Sequence, residues 1–328
     1  MSLKSGFYSG FSVEELFMKT VFMFPGQGSQ SIGMMAGLLE EFDVAREVFD
    51  EASKAIGIDL KEIALNGPED LINQTAITQP IVLTASIAMW RVWESQTDIK
   101  PDFVCGHSLG EYSALVASGV LSLKDAVRLV HLRGSLMQDA VPMGEGGMAA
   151  ILGLDEVSVE LACQEAAQGE VVAAANYNSP GQVVISGASE ALERAMVIAK
   201  AKGARRAAKL SVSVPCHCDL LKPAGESLAE EMERTSFNPL LIPIVQNVNA
   251  TEVSDLSELK SNLLAHLHRP VLWSQSITAL VKNDVQIFIE CGPGKVLSGL
   301  NKRIDKTVKT MNMSDSASMA QVLAEFAE

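Results

Sequence analysis

The sequence predicts an α/β fold in which a core of alternating strands and helices is interrupted by a smaller unit. Two apolar runs, at 21–24 and 103–105, each lead into a glycine turn that a helical pattern follows. From about 147 to 212 the order of elements becomes β-α-β-β-α-β, which is that of a ferredoxin-like unit. Alternation then resumes, so the core is discontinuous.

The first elements of the core surround two glycine turns. Residues 1–19 precede the first strand and are expected to form an N-terminal extension. Beyond the turn that begins at Pro25, an apolar stripe over 35–52 predicts an amphipathic helix. Pro80 is expected to begin a second, apolar helix that continues to 93.

The next elements carry the polar residues of interest. The strand at 103–105 leads through Gly-His-Ser-Leu-Gly at 106–110 directly into a helix. Ser122 then fits a helix-capping box, and the helix that it opens has Arg133 and Met137 on its apolar stripe.

The smaller unit and the rest of the core follow the same reasoning. The unit is predicted to have strands at 148–152, 171–175, 183–186 and 207–212 and helices at 155–168 and 189–202. The remaining core is predicted to have strands at 244–245 and 287–289, a helix at 256–267, and helices after Trp273 and after the turn at 292–294. We therefore expect a core of 20–146 and 213–328 and a ferredoxin-like subdomain of 147–212.

Composition excludes several classes of protein. Of 328 residues, 48% are apolar and 20% are charged, which is typical of a folded globular protein. The net charge of -14 argues against a nucleic-acid partner, because phosphate binding depends on clustered Lys and Arg. No apolar run reaches the roughly 18 to 20 residues that span a bilayer, and the first twenty residues lack signal-peptide features. We expect a cytoplasmic protein with no membrane partner.

The five cysteines are expected to be reduced thiols, since their number is odd and no C-x-x-C pair is present. Cys216-His217-Cys218 offers three possible metal ligands, but a C-x-C pair without a second cluster does not match a zinc site. The sequence therefore predicts no metal.

Ser108 is the candidate nucleophile. It is the serine of a G-x-S-x-G sequence between a predicted strand and a predicted helix, where a sharp turn exposes the hydroxyl. The alternative is a glycine-bearing turn with an incidental serine. The strand-turn-helix setting favours the nucleophile.

A serine nucleophile needs a base, and the chain has five histidines. His107 is expected to point away from its neighbour Ser108, and His131 to be solvated on a polar helix face. His266 and His268 fall near a helix end, where a histidine can act simply as a favourable charge. His217, in a loop after a strand, is either the base or an ordinary loop histidine.

Arg133 is predicted to be a buried charge that needs an anion. The partner is either an internal Asp or Glu or the free carboxylate of a dicarboxylic acyl substrate. In the second case, a charged hydrogen bond of about 1.5 to 3 kcal/mol would give a preference of about 10- to 150-fold for malonyl over acetyl.

Two glycine turns allow a structural or a functional interpretation. The turn at 24–30 is either a plain connection or part of an oxyanion hole made by the backbone N–H groups of Gln27 and Leu109. The turn at 292–295 lacks the spacing of a phosphate loop and is expected to be structural.

Together these motifs resemble the malonyl-CoA:acyl carrier protein transacylases of bacterial fatty acid synthesis. The resemblance runs from about residue 20 almost to the end. It rests on FPGQGSQ at 24–30, GHSLGEY at 106–112, Arg133, NSPGQ at 178–182, VPCH at 214–217 and GPG at 292–294.

The resemblance implies an α/β-hydrolase-like core beside a ferredoxin-like subdomain, and it implies roles for individual residues. Ser108 would be acylated and His217 would be its base, oriented by the backbone carbonyl of His266 in place of a carboxylate. Gln27 and Leu109 would donate the oxyanion hydrogen bonds. The residues expected to bind substrate are Arg133, Gln79, Met137 and Cys216.

Two positions depart from the family pattern, and a third bears on acyl specificity. The chain has His266 where the family commonly has Gln, and Cys216 where it commonly has Ser. Leu109 resembles malonyl-selective members, whereas methylmalonyl-selective relatives tend to have Gln there.

The resulting hypothesis is ping-pong malonyl transfer from coenzyme A to the phosphopantetheine thiol of acyl carrier protein, by a monomer that needs no cofactor. A basic patch at Lys202, Arg205, Arg206 and Lys209 is the candidate docking site for an acidic carrier. A thioesterase with water as acceptor and a non-catalytic carrier-binding module are the alternatives.

Overall fold

The computed structural model describes residues 18–212 and 214–326. Most of the predicted N-terminal extension, residues 1–17, lies outside the described residues, as does Ser213 at the predicted core boundary. The first strand begins at Lys19, one residue before the predicted start of the core, because Lys19 already pairs with Val285.

The described residues form two sheets and a set of surrounding helices. The strands are β1 (Lys19–Phe24), β2 (Phe103–Gly106), β3 (Gly146–Leu152), β4 (Val172–Ser179), β5 (Gln182–Ala188), β6 (Arg206–Lys209), β7 (Ile244–Val245), β8 (Glu252–Val253), β9 (Val285–Cys291) and β10 (Lys309–Met313). The helices are α1 (Ala36–Glu41), α2 (Asp43–Ile56), α3 (Leu60–Asn66), α4 (Glu69–Ile72), α5 (Thr75–Gln96), α6 (Gly110–Ala117), α7 (Leu123–Ala140), α8 (Glu156–Ala167), α9 (Ser189–Ala201), α10 (Lys222–Arg234), α11 (Leu256–Ala265), α12 (Trp273–Lys282), α13 (Val296–Ile304) and α14 (Ser316–Glu325), with a 3₁₀ turn at Asp219–Leu221.

The larger sheet has the strand order β10-β9-β1-β2-β7-β8. Its strands are parallel except for β8, which pairs antiparallel with β7. In the register of β1 and β2, Phe24 lies opposite Gly106. Since parallel strands end at the same edge of a sheet, the two glycine turns of the sequence lie side by side.

The smaller sheet has the order β4-β5-β3-β6 and is antiparallel throughout. With α8 and α9 packed on it, its elements follow the predicted β-α-β-β-α-β order. Its apolar core is separate from that of the larger sheet. The predicted fold class, an α/β core with a ferredoxin-like unit, is confirmed.

Two predicted helices differ from the observed ones. The stripe over 35–52 is divided between α1 and α2, because Phe42 adopts an extended conformation between them. Pro80 does not begin a helix but lies inside α5. A proline lacks the N–H that would bond the carbonyl four residues earlier, and the Nδ1 of His131 donates to that carbonyl, of Ala76, at 2.9 Å.

Several elements were not predicted from the sequence. These are α3, α4, β8, β10 and α14. β10 has the sequence KTMNM at the sheet edge, and only its last residue is fully buried, so it lacks the apolar run by which buried strands are recognised.

The longest described helix, α5, is buried on almost all sides. Phe22 of β1 packs edge-on against Trp90 and Trp93 of α5, at centroid distances of 5.4 and 5.2 Å. Of the helices within the described ranges, none is long and apolar enough to cross a membrane.

Candidate active site

Ser108 lies in the sharp turn between β2 and α6, with a φ of 52°. This left-handed conformation is strained for a residue with a side chain, and such strain concentrates at functional sites. The turn packs tightly on β1, because a Cβ on Gly110 would stand 2.0 Å from the carbonyl oxygen of Phe24. The hydroxyl of Ser108 is thus held at the carboxyl edge of the sheet.

The side chain of His217 meets this hydroxyl. Its Nε2 lies 2.8 Å from the Oγ of Ser108, and its Nδ1 lies 2.7 Å from the backbone oxygen of His266. Because a carbonyl only accepts, Nδ1 carries the proton and Nε2 is left to accept one from the serine. The structure thus brings together the three predicted residues of a nucleophile and base.

The imidazole of His217 is buried and neutral. Burial, followed by the charge of Arg133, lowers its pKa to about 3, against an opposing hydrogen bond to His266. His217 also has a positive φ, of 61°. Ser108 and His217, the two residues that this hydrogen bond joins, therefore both have unusual backbone conformations.

Arg133 of α7 is 1% exposed. Its Nη1 donates to the Oε1 of Gln79 at 2.7 Å, whereas Nε and Nη2 have no hydrogen-bond partner within 18–212 and 214–326. In the same ranges the guanidinium forms no ion pair. The ring of Tyr112 lies 5.7 Å away. An internal carboxylate, one of the two predicted partners, is therefore not observed.

Gly134 explains how this charge comes so close to α5. A Cβ at this position would stand 2.6 Å from the Cα of Ala76, so the absence of a side chain lets α7 approach α5 directly. The approach brings Arg133 within reach of Gln79, whose Nε2 in turn lies 3.4 Å from the sulfur of Met137.

A cavity of about 120 Å³ joins these groups. Met148 and Asn176 of the smaller unit also line it, so it lies between the two sheets. Seven of the predicted site residues line it: Gln27, Ser108, Leu109, Arg133, Met137, Cys216 and His217.

Two predicted site residues lie behind the cavity lining. Gln79 accepts a hydrogen bond from Arg133, and the backbone oxygen of His266 accepts one from His217; neither residue lines the cavity. Cys216 is a neutral thiol, since burial raises its pKa to about 12. The side-chain amide of Gln27 donates to Thr75 at 3.3 Å.

A buried polar network below Ser108 was not predicted from the sequence. Asn247 accepts from the backbone N–H of Ser108 at 2.8 Å and donates to the carbonyl of Gly106 at 2.6 Å. Glu111, 1% exposed, accepts from the backbone N–H of Asn247 and from Gln246. One signal was present: Gln246 and Asn247 directly follow a core strand, β7, whose end lies at the same edge as Ser108.

The remaining histidines differ from their predicted settings. His107 does not simply point away, because its ring lines the cavity while Nε2 bonds the Oδ1 of Asn178 at 2.8 Å. His131 is half-buried rather than solvated, since it bonds the carbonyl that Pro80 leaves free. His266 is not a favourable helix-end charge, because burial lowers its pKa well below the usual value and its ring stacks on His217 at 4.8 Å.

The structure also bears on the candidate metal ligands and on the candidate docking patch for the carrier protein. Within the described residues, no cluster of three or more His, Cys, Asp or Glu is arranged to hold a metal ion. Of the predicted basic patch, Lys202 pairs with Glu165 and Lys209 with Glu193, whereas Arg205 and Arg206 are exposed on the same unit.

An α/β fold with a serine hydroxyl and a histidine in contact at the edge of its sheet is an arrangement suited to acyl chemistry. The chain belongs to the acyl transferase domain family, whose model matches residues 21–324. It is 48% identical over 304 residues to the malonyl CoA-acyl carrier protein transacylase of Salmonella typhimurium, covering 93% of this chain and 98% of that protein.

Solved structures agree with this membership. An acyl carrier protein S-malonyltransferase from Vibrio cholerae superposes with a TM-score of 0.91 and 48% identity, over 93% of this chain and 99% of that one. A malonyl-transacylase in complex with its type II PKS acyl-carrier protein superposes with a TM-score of 0.92 and 46% identity, over 94% of this chain and 99% of that one.

Proposed function

We propose that this acyltransferase moves a malonyl group from malonyl-CoA to the phosphopantetheine thiol of an acyl carrier protein through a malonyl-serine intermediate. The observation that carries the proposal is Arg133, a residue of the cavity lining whose buried guanidinium has two unpartnered nitrogens; Ser108 and His217 line the same cavity. A malonyl thioester has both groups that such a site needs, a carbonyl to attack and a free carboxylate to bind.

In the first half-reaction, Nε2 of His217 takes the proton of Ser108 as Oγ attacks the thioester carbonyl. The backbone carbonyl of His266 keeps the imidazole in the tautomer that accepts this proton and stabilises the imidazolium that forms. The backbone N–H groups of Gln27 and Leu109 are proposed to donate to the oxyanion. Coenzyme A then leaves as its thiol, protonated by His217.

In the second half-reaction the carrier's thiol takes the place of coenzyme A. His217 removes the thiol proton, sulfur attacks the malonyl ester, and Ser108 Oγ recovers its proton as the ester bond breaks. The chemistry is acyl exchange between sulfur and oxygen without change of oxidation state. Neither a metal nor a redox cofactor is part of this proposal.

Arg133 is proposed to select for malonyl. A bidentate bond from Nε and Nη2 to the free carboxylate would give these two nitrogens the partners that the protein itself does not supply. Gln79 would hold the guanidinium in place through Nη1. Met137 and Cys216 would complete the apolar wall around the acyl chain.

Three broader features complete the proposal. We propose a division between core and subdomain close to the predicted 146/147 and 212/213, since the smaller sheet runs from β3, which already begins at Gly146, to β6, which ends at Lys209. We also propose that the protein acts as a monomer. A cytoplasmic location is supported by the five cysteines, all of which are free thiols.

Mass spectrometry of the intact protein mixed with malonyl-CoA alone tests the proposal. We expect a single malonyl adduct that is absent from Ser108→Ala and is lost when holo carrier protein is added. Steady release of coenzyme A without an adduct would indicate hydrolysis, and the absence of both adduct and release would contradict enzymatic acyl transfer.

A further inference from the structure

Glu111 is one of the most deeply buried carboxylates of the described residues, and no role in acyl transfer is assigned to it above. It is the second residue of α6, two residues after Leu109, and is 1% exposed. A carboxylate that is removed from water is unfavourable unless hydrogen bonds satisfy its oxygens. Both oxygens of Glu111 therefore need donors.

The donors come from the segment after β7. Oε2 accepts from the backbone N–H of Asn247 at 2.9 Å, and Oε1 accepts from Nε2 of Gln246 at 2.8 Å. The carboxylate thereby fixes both the main chain and a neighbouring side chain of this segment. It does not touch the cavity.

The same segment holds the nucleophile. Oδ1 of Asn247 accepts from the backbone N–H of Ser108, and Nδ2 donates to the carbonyl of Gly106. The two bonds span the turn on either side of His107. Since Ser108 has a φ of 52°, its backbone stays in this conformation only if the surroundings hold it there.

We propose that Glu111 is a positioning residue that acts through Asn247 to hold the Ser108 turn in the conformation in which Oγ meets His217. The proposal rests on the proposed role of Ser108 as nucleophile. The expected consequence of loosening the turn is a slower reaction of Oγ without weaker substrate binding, because Arg133 and the cavity wall are untouched.

The test compares Glu111→Gln with a matched control, Glu290→Gln. A glutamine can accept only one of the two bonds, because its NH₂ group then faces a donor. Glu290 is also fully buried and also accepts two hydrogen bonds, from the backbone N–H groups of Leu297 and Ser298. Both variants lose one buried bond, but only one of them loses it next to Ser108.

Two readouts are used with each full-length variant. The first is the rate at which a fluorophosphonate ester labels Ser108. In this reaction the Oγ–P bond forms, the P–F bond breaks, fluoride leaves and His217 takes the proton of the serine. The second is kcat and KM for malonyl-CoA.

For Glu111→Gln we expect the labelling rate and kcat to fall by about 10- to 100-fold, because a misplaced reacting group slows the chemical step, with KM unchanged. Glu290→Gln should stay within about twofold of the native rate, because the two hydrogen bonds that Glu290 accepts come from the start of α13 and neither joins the Ser108 turn.

Asn247→Ala keeps the proposal testable if Glu111→Gln fails to fold. Alone it should slow labelling to a similar extent, and combined with Glu111→Gln it should add little, because both changes release the same turn. Equal labelling by Glu111→Gln and Glu290→Gln, or fully additive losses in the double variant, would overturn the inference. If the native chain itself is not labelled, the proposed function fails instead.

Discussion

The Nη1 of Arg133 donates to Gln79 at 2.7 Å, and the other two nitrogens of the same buried guanidinium find no partner within the described ranges. A protein that only needed a stable core would not keep such a group, because an unpaired buried charge lowers stability. Arg133 is therefore our proposed binding site for a substrate carboxylate, with the Gln79 side chain holding its guanidinium in place.

The first prediction concerns Arg133→Met. We expect kcat/KM for malonyl-CoA to fall by about 10- to 150-fold while that for acetyl-CoA is retained or rises, since one charged hydrogen-bonding group is lost. The same variant should be as stable as the native chain or more stable, by up to about 4 kcal/mol, because a buried charge is removed. Paired assays with both thioesters and a urea melt check this. An unchanged ratio of the two substrates would contradict the carboxylate-binding role.

The second prediction concerns backbone strain at Ser108. Ser108→Gly and Ser108→Ala should both abolish adduct formation, but the glycine variant should be more stable by about 1 kcal/mol, because glycine adopts positive φ without strain. Thermal unfolding of the two variants measures the difference. Equal melting temperatures would mean that the turn is not strained.

The third prediction concerns pH and the acylation rate. Burial raises the pKa of Glu111 to about 7, against hydrogen bonds from Asn247 and Gln246 and the charge of Arg133, which lower it. His217, with a pKa of about 3, stays neutral over the same range. Protonation converts an acceptor oxygen of Glu111 to a donor, so the rate should fall as the pH drops through 7.

Single-turnover malonylation between pH 5 and 8 is the measurement. The fall should be absent from Glu111→Gln, which has lost the titrating group. The titratable groups that face Glu111 include Cys105, Tyr112 and His266, whose Nδ1 lies 3.8 Å from Oε2, and the pKa shifts of all three keep them neutral over this range. A profile that is identical in both proteins would assign the titration to another residue.

The fourth prediction concerns stability in acid. The pKa values of His107, His217 and His266 are lowered by burial, so between about pH 6.5 and 3 the unfolded chain binds protons that the folded chain does not. The free energy of unfolding should therefore decrease as the pH falls through this window. His266→Gln should lose less stability on acidification, since one buried imidazole is removed. A steeper loss in this variant would contradict the assignment.

His266→Gln also tests the orienting role of the main chain. The bond to Nδ1 of His217 comes from the backbone oxygen of residue 266, which any side chain leaves in place. We expect the variant to form the malonyl adduct. Loss of the adduct with the fold intact would mean that the stacked imidazole ring itself is required.

The fifth prediction concerns the carrier protein. Lys202 and Lys209 are engaged by glutamates, so reversing Arg205 and Arg206 to Glu should raise KM for an acidic carrier more than reversing the two lysines, without changing KM for malonyl-CoA. Arg234→Glu, exposed on α10, is the control. A carrier KM that does not respond to any of these changes would place docking elsewhere.

The α/β class, the ferredoxin-like unit and the serine turn could be predicted from the sequence because each depends on local signals. Apolar periodicity and glycines indicate where a chain bends and which face it buries. The same periodicity placed Arg133 on a buried stripe. The edge strand β10 and the start of α5 before Pro80 could not be recognised in this way, because their stability comes from contacts distant in sequence.

The site itself was decided by tertiary structure. Ser108 and His217 are 109 residues apart, and Asn247 lies 139 residues from Ser108. Whether Arg133 would meet an internal carboxylate depended on the packing of α7 on α5, and which histidine would reach Ser108 depended on where the loop after β6 lies against the turn after β2. The sequence indicates which side chains are buried and where the chain turns. Only packing determines which side chains lie within hydrogen-bond distance, because those contacts join segments that are far apart in the sequence.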